Sequence, residues 1–208
     1  HTQLQTNFSV NMIAIVDGRP RLLNLKDLLE KFLEHRRQVI IRRSEFELRE
    51  AMEKREIVEG LGVASMDIDR VIELIRTSKD ADEARGRLQA HDFTGLGAFL
   101  ERAGFNAEEV ARADAHYRLT ERQAQAILDM RLQRLTGLQQ EKLAGEYRQL
   151  TDQIRHLEAL LASEELLREL MIAELTEIRE KYGDERKTEI LEDRSEEHTS
   201  ELQSRQVI

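Results

Sequence analysis

Between Leu25 and Glu59 no glycine or proline interrupts an apolar pattern at helical spacing, and this run limits the possible folds more than any other feature. Leu25, Leu28, Leu29, Phe32, Leu33, Val39, Ile40, Phe46 and Met52 recur among Glu, Lys and Arg until Gly60 and Gly62, which are expected to end the helix. At about 1.5 Å per residue such a helix is about 50 Å long, too long for the interior of a compact domain. A second long helix is expected from about Leu138. Its Leu143, Tyr147, Leu150, Ile154, Leu157 and Leu161 alternate steps of four and three, a heptad seam that calls for a partner helix. Ser163, followed by Glu164 and Glu165, reads as the N-cap of a further helix through Leu167, Met171, Leu175, Ile178 and Tyr182, ended by Gly183.

Between the long runs the signals shorten. Asp80 with Glu83, Asn106 with Glu109 and Thr120 with Gln123 have the spacing of an N-cap and its reciprocal partner, each opening a helix. Leu119 is placed to staple against Ala124, and Gly137 stands where a left-handed C-cap belongs, so a helix over 120–135 is expected. Ahead of the first long helix, Met12 to Val16, the Asp17-Gly18 turn signal and Leu22-Leu23 predict a small hairpin, with Pro20 at its turn or edge. A chain that goes out along one helix, builds a small globule and returns along another makes an antiparallel coiled-coil arm. The expected fold is therefore mainly α: a long antiparallel coiled-coil arm with a small helical globule at its tip, plus a short N-terminal β-hairpin. The divisions are 1–24 with the hairpin, 25–61 outgoing helix, 62–137 knob, 138–190 returning helices and 191–208 tail.

Composition agrees with that class. The chain is 40% apolar, 35% charged and only 4% aromatic, with 10 Gly and one Pro, which favours helices with charged outer faces over a sandwich or barrel. Without cysteine it has neither disulfides nor thiolate metal sites. No apolar run approaches the roughly 20 residues of a membrane span, and no signal-peptide pattern opens the chain, so a cytoplasmic location and no membrane partner are expected. The first residue, His1, is read as a sign of a longer protein. The net charge of −9 argues weakly against nucleic acid as a partner of the whole surface, though part of it sits in the tail. RSEEHTSELQS, Arg194 to Ser204, resembles the conceptual translation of a sequencing-library adapter, and residues from about Asp193 onward are set aside as foreign.

No constellation for chemistry stands out. HRRQVIIRR places Arg36, Arg37, Arg42 and Arg43 in a basic band beside His35, which could attract a polyanion or pair with acidic residues of the returning helix such as Glu146 or Glu158. His91 with Asp92, His116 with Asp114 and His156 with Glu158 lack both the spacing of a helical zinc site and a third ligand, and read as surface groups. Tyr117, Tyr147 and Tyr182 each have a plain structural reading. Catalytic, cofactor-binding and metal-binding residues are therefore assigned to none of these positions. The apolar helices of the knob exceed what it needs for itself, which points to self-association.

Three stretches add a resemblance: YRLTERQAQAILDMRLQRLTGLQQEKL, LNLKDLLEKFLEHRRQVIIRRSEFELREA and EIREKYGDERKTEI. In their chain order, from Leu23, Tyr117 and Glu177, they resemble the A subunits of bacterial DNA gyrase, a type IIA DNA topoisomerase, and the likeness covers nearly everything from His1 to about Ile190. The opening TQLQTNFSVNMIAIVDGRPRLLNL looks like the end of that family's tower region. The resemblance implies an enzyme of two A and two B subunits that passes one DNA duplex through a double-strand break in another. The matching region would be the coiled-coil arm and terminal knob, whose pairing with a second copy forms the exit gate. Leu119, Thr120, Gln123, Ala124, Ile127, Leu128 and Leu132 are then the candidates for the gate contact or its immediate support, and Arg36, Arg37, Arg42 and Arg43 a DNA-facing band. The family's cleaving tyrosine lies in an upstream winged-helix region, and none of the three tyrosines here has its sequence context. Magnesium and ATP belong chiefly to the B subunit, so no cofactor is expected on this chain and it is expected to be inactive alone. The topoisomerase IV counterpart, which shares the arm and gate, is the nearest rival; YGDERKTEI and LTGL look more like gyrase. A structural arm with a dimerising hinge is the rival of a different class.

Overall fold

The computed structural model describes residues 10–111, 116–130 and 137–188. The expected hairpin is present. β1 (Met12–Val16) pairs antiparallel with β2 (Arg19–Leu23), setting Ile13 opposite Leu22 and Ile15 opposite Pro20. The turn holds both Asp17 (φ 53°) and Gly18 (φ 74°) in the left-handed region, which a two-residue type I′ turn requires and an Asp-Gly pair tolerates. Pro20 is accommodated because a two-stranded sheet consists only of edges.

Asn24 then starts the first helix: its side-chain oxygen accepts a hydrogen bond from the Asp27 amide at 2.8 Å, and α1 runs from Leu25 to Met66. Gly60 and Gly62 do not end it. Both lie buried within the helix, where the missing side chains let neighbours come close; a Cβ on Gly60 would stand 2.6 Å from Cγ of Gln123, and one on Gly62 would overlap the Phe99 ring. Close packing, not helix termination, accounts for these glycines.

Among the described residues five short helices follow: α2 (Ile68–Arg76), α3 (Ala81–Ala90), α4 (Leu96–Arg102), α5 (Ala107–Ala111) and α6 (Glu121–Leu128). The three expected caps form. Asp80 accepts from the Glu83 amide at 2.8 Å, Asn106 and Glu109 exchange bonds of 2.9 and 3.1 Å, and Thr120 and Gln123 make a full capping box. A pair of backbone bonds between Phe93 and Tyr117, 2.9 and 2.8 Å, closes the segment that leads into α6. Val63, Val71, Leu88, Phe93, Phe99 and Ala124 form the centre of one core, to which the last turns of α1 and the first turns of the next long helix contribute Val58, Ala144 and Tyr147. Helix α6 is shorter than the 120–135 expected: it stops at Leu128, with Asp129 as a right-handed C-cap, and Gly137 opens the following helix instead of closing this one.

That following helix is α7 (Gly137–Ala162), and it runs antiparallel to α1. Gln140, near its start, donates to the Ser65 carbonyl at 2.7 Å, while Leu160, near its end, shares a buried cluster with Ile40. The buried stripe of α7 is Ala144, Tyr147, Thr151, Ile154, Leu157 and Leu160. Leu143, Leu150 and Leu161 of the expected seam are half-buried at its flank. The stripe is displaced because Ala144 and Thr151 are small enough to face α1 at close range, and the Thr151 hydroxyl satisfies itself on the Tyr147 carbonyl at 2.8 Å.

Ser163 caps α8 (Glu164–Tyr182), accepting from the Leu166 amide at 3.3 Å, and Leu167 is buried against Ile40 and Leu160. The chain divides into two units, His1–Met171 and Ile172–Ile208. Within the second, α8 continues with Leu175 half-buried and Ile178 and Tyr182 exposed, and ends as expected at Gly183, whose amide bonds to the Arg179 carbonyl at 2.8 Å. The adapter-like stretch Arg194 to Ser204 lies outside the described residues. Among the described residues no helix is long and apolar enough to cross a membrane.

Candidate functional site

Helix α6 is held on α1 by a row of acidic residues spaced three apart, Glu53, Glu56 and Glu59, which places them on one face over two turns. Arg122 reaches Glu53 at 3.2 Å, and the Thr120 hydroxyl donates to Glu56 at 2.8 Å. Gln123 goes deepest and is 1% exposed. Its amide nitrogen donates to the Glu56 backbone carbonyl and to the Tyr117 hydroxyl, both at 2.7 Å, while its oxygen accepts from the Thr120 amide at 2.9 Å. Both donor hydrogens and the oxygen are thereby satisfied in a buried place, which is the condition for tolerating an amide there.

Glu59 completes the arrangement. One carboxylate oxygen accepts from Tyr117 at 2.8 Å and the other from Tyr147 of α7 at 2.7 Å, so one turn of α1 is tied to both neighbours. Burial first, and the adjacent Glu59 charge second, raise both tyrosine hydroxyls above their ordinary range. A phenol held protonated as a donor to a carboxylate is a poor nucleophile, so the geometry assigns these tyrosines to architecture.

The predicted gate residues fall into three groups. Leu119, Gln123, Ala124 and Ile127 are buried at 4%, 1%, 0% and 4% exposure inside their own chain, where they fasten α6 to α1 and offer no outer surface. Thr120 is exposed and Leu128 half-buried; Leu132 lies outside the described residues. The outer side of α6 shows Glu121, Arg122, Gln125 and Asp129, and Arg85 of α3 reaches Gln125 at 3.3 Å and Glu121 at 3.8 Å. The expected surplus of apolar surface is not displayed here. Among the described residues from 62 to 130 every large apolar side chain is buried or half-buried, because the end of α1 supplies much of the packing that the short helices need. Exposed large apolar side chains lie instead on the hairpin, at Ile13, Ile15 and Leu22, along α1, as at Leu29, Phe32 and Phe46, and on α8.

The basic band divides as well. Arg36 and Arg37 are half-buried, Arg42 and Arg43 exposed. Arg37 takes Glu164 at the start of α8 as its partner, with 3.1 Å from Nε and a second contact through the guanidinium end, and Arg43 lies 3.9 Å from Glu47 on its own helix. For Arg37 the acidic partner is thus Glu164, at the start of α8, in place of Glu146 or Glu158. Arg37 pairs where a helix N-terminus already favours an acidic side chain.

Among the described residues no three of His, Asp and Glu are placed to hold a metal ion. Asp92 is engaged by Arg118 at 2.6 Å, a hydrogen bond that draws its carboxyl below the usual range, and His91 packs edge-on against Phe93 with ring centres 4.7 Å apart. Asp114, the partner proposed for His116, lies outside the described residues. The Gln123–Glu59 network is invisible to sequence reasoning except through the two glycines within one helical turn of α1, whose spacing there reads equally as a terminus.

Residues 1–176 match the family model for the A subunits of DNA gyrase and topoisomerase IV. The chain belongs to this family. Among curated members, it is 47% identical over 199 residues to the DNA gyrase A subunit of Aeromonas salmonicida, a match covering 91% of this chain and 22% of that protein. It is 46% identical over 189 residues to the DNA gyrase A subunit of Staphylococcus epidermidis, covering 91% of this chain and 18% of that protein. The DNA gyrase A subunit of Pseudomonas aeruginosa is 45% identical over 199 residues, covering 91% of this chain and 22% of that protein. The chain thus spans about a fifth of the length of the gyrase relatives it matches.

Proposed function

We propose that this chain is the arm-and-knob portion of a DNA gyrase A subunit, from a bacterial type IIA topoisomerase that uses ATP to pass duplex DNA through a double-strand break and to introduce negative supercoils. In this reading α1 and α7 are the two strands of the arm, residues 62–137 are the knob, and the knobs of two copies meet to close the exit gate. The working enzyme pairs two such A subunits with two gyrase B subunits in the cytoplasm, on the nucleoid, and Mg2+ and ATP are used chiefly through B. DNA cleavage belongs to a tyrosine outside this chain, which alone is inactive.

What carries the reading is sequence identity of 45–47% to gyrase A subunits from several bacteria across 91% of the chain. The antiparallel α1–α7 pair with the short helices packed on one end supports it. A gate helix must hold its position while strain passes through the arm, and α6 is fastened by buried hydrogen bonds as well as apolar contacts. Arg42 and Arg43, exposed on α1, are the members of the basic band whose position suits contact with a passing duplex.

A chimaera tests this directly. The 189 matched residues, placed in the gyrase A subunit of S. epidermidis, should give a tetramer with B that supercoils relaxed plasmid in the presence of ATP. A folded tetramer that cleaves DNA but never completes strand passage would contradict the proposal.

A further inference from the structure

We infer that α1 contains a hinge at Glu56–Gly62 and that Gln123 of α6 is the pin that holds it straight. Three observations meet at this turn. Gly60 and Gly62 stand two residues apart in the interior of a 42-residue helix, where glycine loosens the backbone more than any other residue that can donate to the ladder. The Gln123 side chain lies against the bare Cα of Gly60 and donates at 2.7 Å to the Glu56 carbonyl, the acceptor that an α-helix assigns to the Gly60 amide. Helices kink at few kinds of place, glycines among them, and a side chain bonded across that turn restrains the bend. Third, Glu59 in the same turn is tied through Tyr117 to the entry of α6 and through Tyr147 to α7, so a bend here would change the angle between the short helices and the pair α1–α7.

The pin is also part of a cap. The Gln123 oxygen accepts from the Thr120 amide, closing the capping box of α6, so withdrawing the Gln123 side chain from α1 opens that half of the box in the same motion, leaving the bond from the Gln123 amide to the Thr120 hydroxyl. Helix straightness and α6 docking are therefore coupled through one side chain. This is a property of the chain and stands whether or not the knob is a gate; in a gate, it would let the knob turn without the arm unfolding.

The 208-residue chain has no cysteine, so labels can be placed at will. Exposed Glu45 on α1 and Ala81 on α3 are changed to cysteine, spin-labelled, and their distance distribution measured by electron–electron double resonance, with amide exchange followed along α1. Gln123→Ala should broaden the distribution and speed exchange of the amides from Gly60 to Ser65 by roughly tenfold or more, leaving the amides from Phe32 to Phe46 unchanged. Gly60→Ala/Gln123→Gly, in which no side-chain atom of residue 123 is left to meet the new Cβ and alanine stiffens the helix, should be tighter by both measures than Gln123→Gly alone. Unchanged distances and exchange in Gln123→Ala, a uniform rise along all of α1, or a double variant as loose as Gln123→Gly would each overturn the hinge.

Discussion

Gln123 fills the space that Gly60 leaves empty: a Cβ on Gly60 would lie 2.6 Å from its Cγ and 2.7 Å from its Cβ. The crowding involves the root of the Gln123 side chain, which cannot swing aside as a chain end could. Gly60→Ala should therefore destabilise the chain by about 1–3 kcal/mol through overpacking, against the gain of about 1 kcal/mol that alanine brings to an ordinary helix site. In a Gln123→Gly background, which removes both of those carbons, the same change should be neutral or favourable. Urea unfolding of the two single variants and the double variant closes the cycle, and additive effects would contradict the contact.

Alkaline pH should weaken the fold through Tyr117 and Tyr147. Burial and the Glu59 charge raise both hydroxyls above their unfolded value, so the folded state keeps protons that the unfolded chain has already released. Their contribution is fully present below about pH 10, the ordinary tyrosine value, and is lost as pH rises beyond it. Thermal unfolding followed from neutral pH upward should show this decline, and Tyr117→Phe/Tyr147→Phe should flatten it. A double variant with the parent's slope would remove these tyrosines from the explanation.

Thr120→Ala removes the N-cap of α6 together with the 2.8 Å bond to Glu56. The expected loss is about 1–2 kcal/mol, at the upper end of cap substitutions because the hydroxyl serves two partners. Thr120→Ser, which keeps the oxygen, should recover most of it in the same unfolding experiment.

Local chemistry is the legible part of this sequence. The Asp17-Gly18 turn, the Asp80, Asn106, Thr120 and Ser163 caps and the stop at Gly183 each depend on neighbours within four residues, and each forms. What fails depends on distant partners. Gly60 and Gly62 read as a helix end because nothing nearby reveals that Gln123 and Phe99 will occupy their empty sides. The seam of α7 is displaced because Ala144 and Thr151 carry little apolar signal yet face α1 closely. Helix α6 stops short of 135, and Gly137 is not its cap because the glycine belongs to the next helix.

The candidate site is legible by family and not by surface. Leu119, Ala124 and Ile127 stand out as an apolar stripe, and they are the face with which α6 packs onto its own chain. A charge at Ile127, 4% exposed, would test core packing and not pairing between copies. Leu128, half-buried at the end of the helix, is the better probe.

The proposed role of the knob depends on residues 62–137 pairing with a second copy. Sedimentation equilibrium of the full chain over a dilution series measures this, with Leu128→Lys and the hairpin variant Ile13→Lys beside it to separate the two surfaces. The expected result is a concentration-dependent dimer that Leu128→Lys dissociates without loss of helix content and Ile13→Lys leaves intact. A monomer at every concentration, or a dimer abolished only by Ile13→Lys, would contradict pairing through the knob.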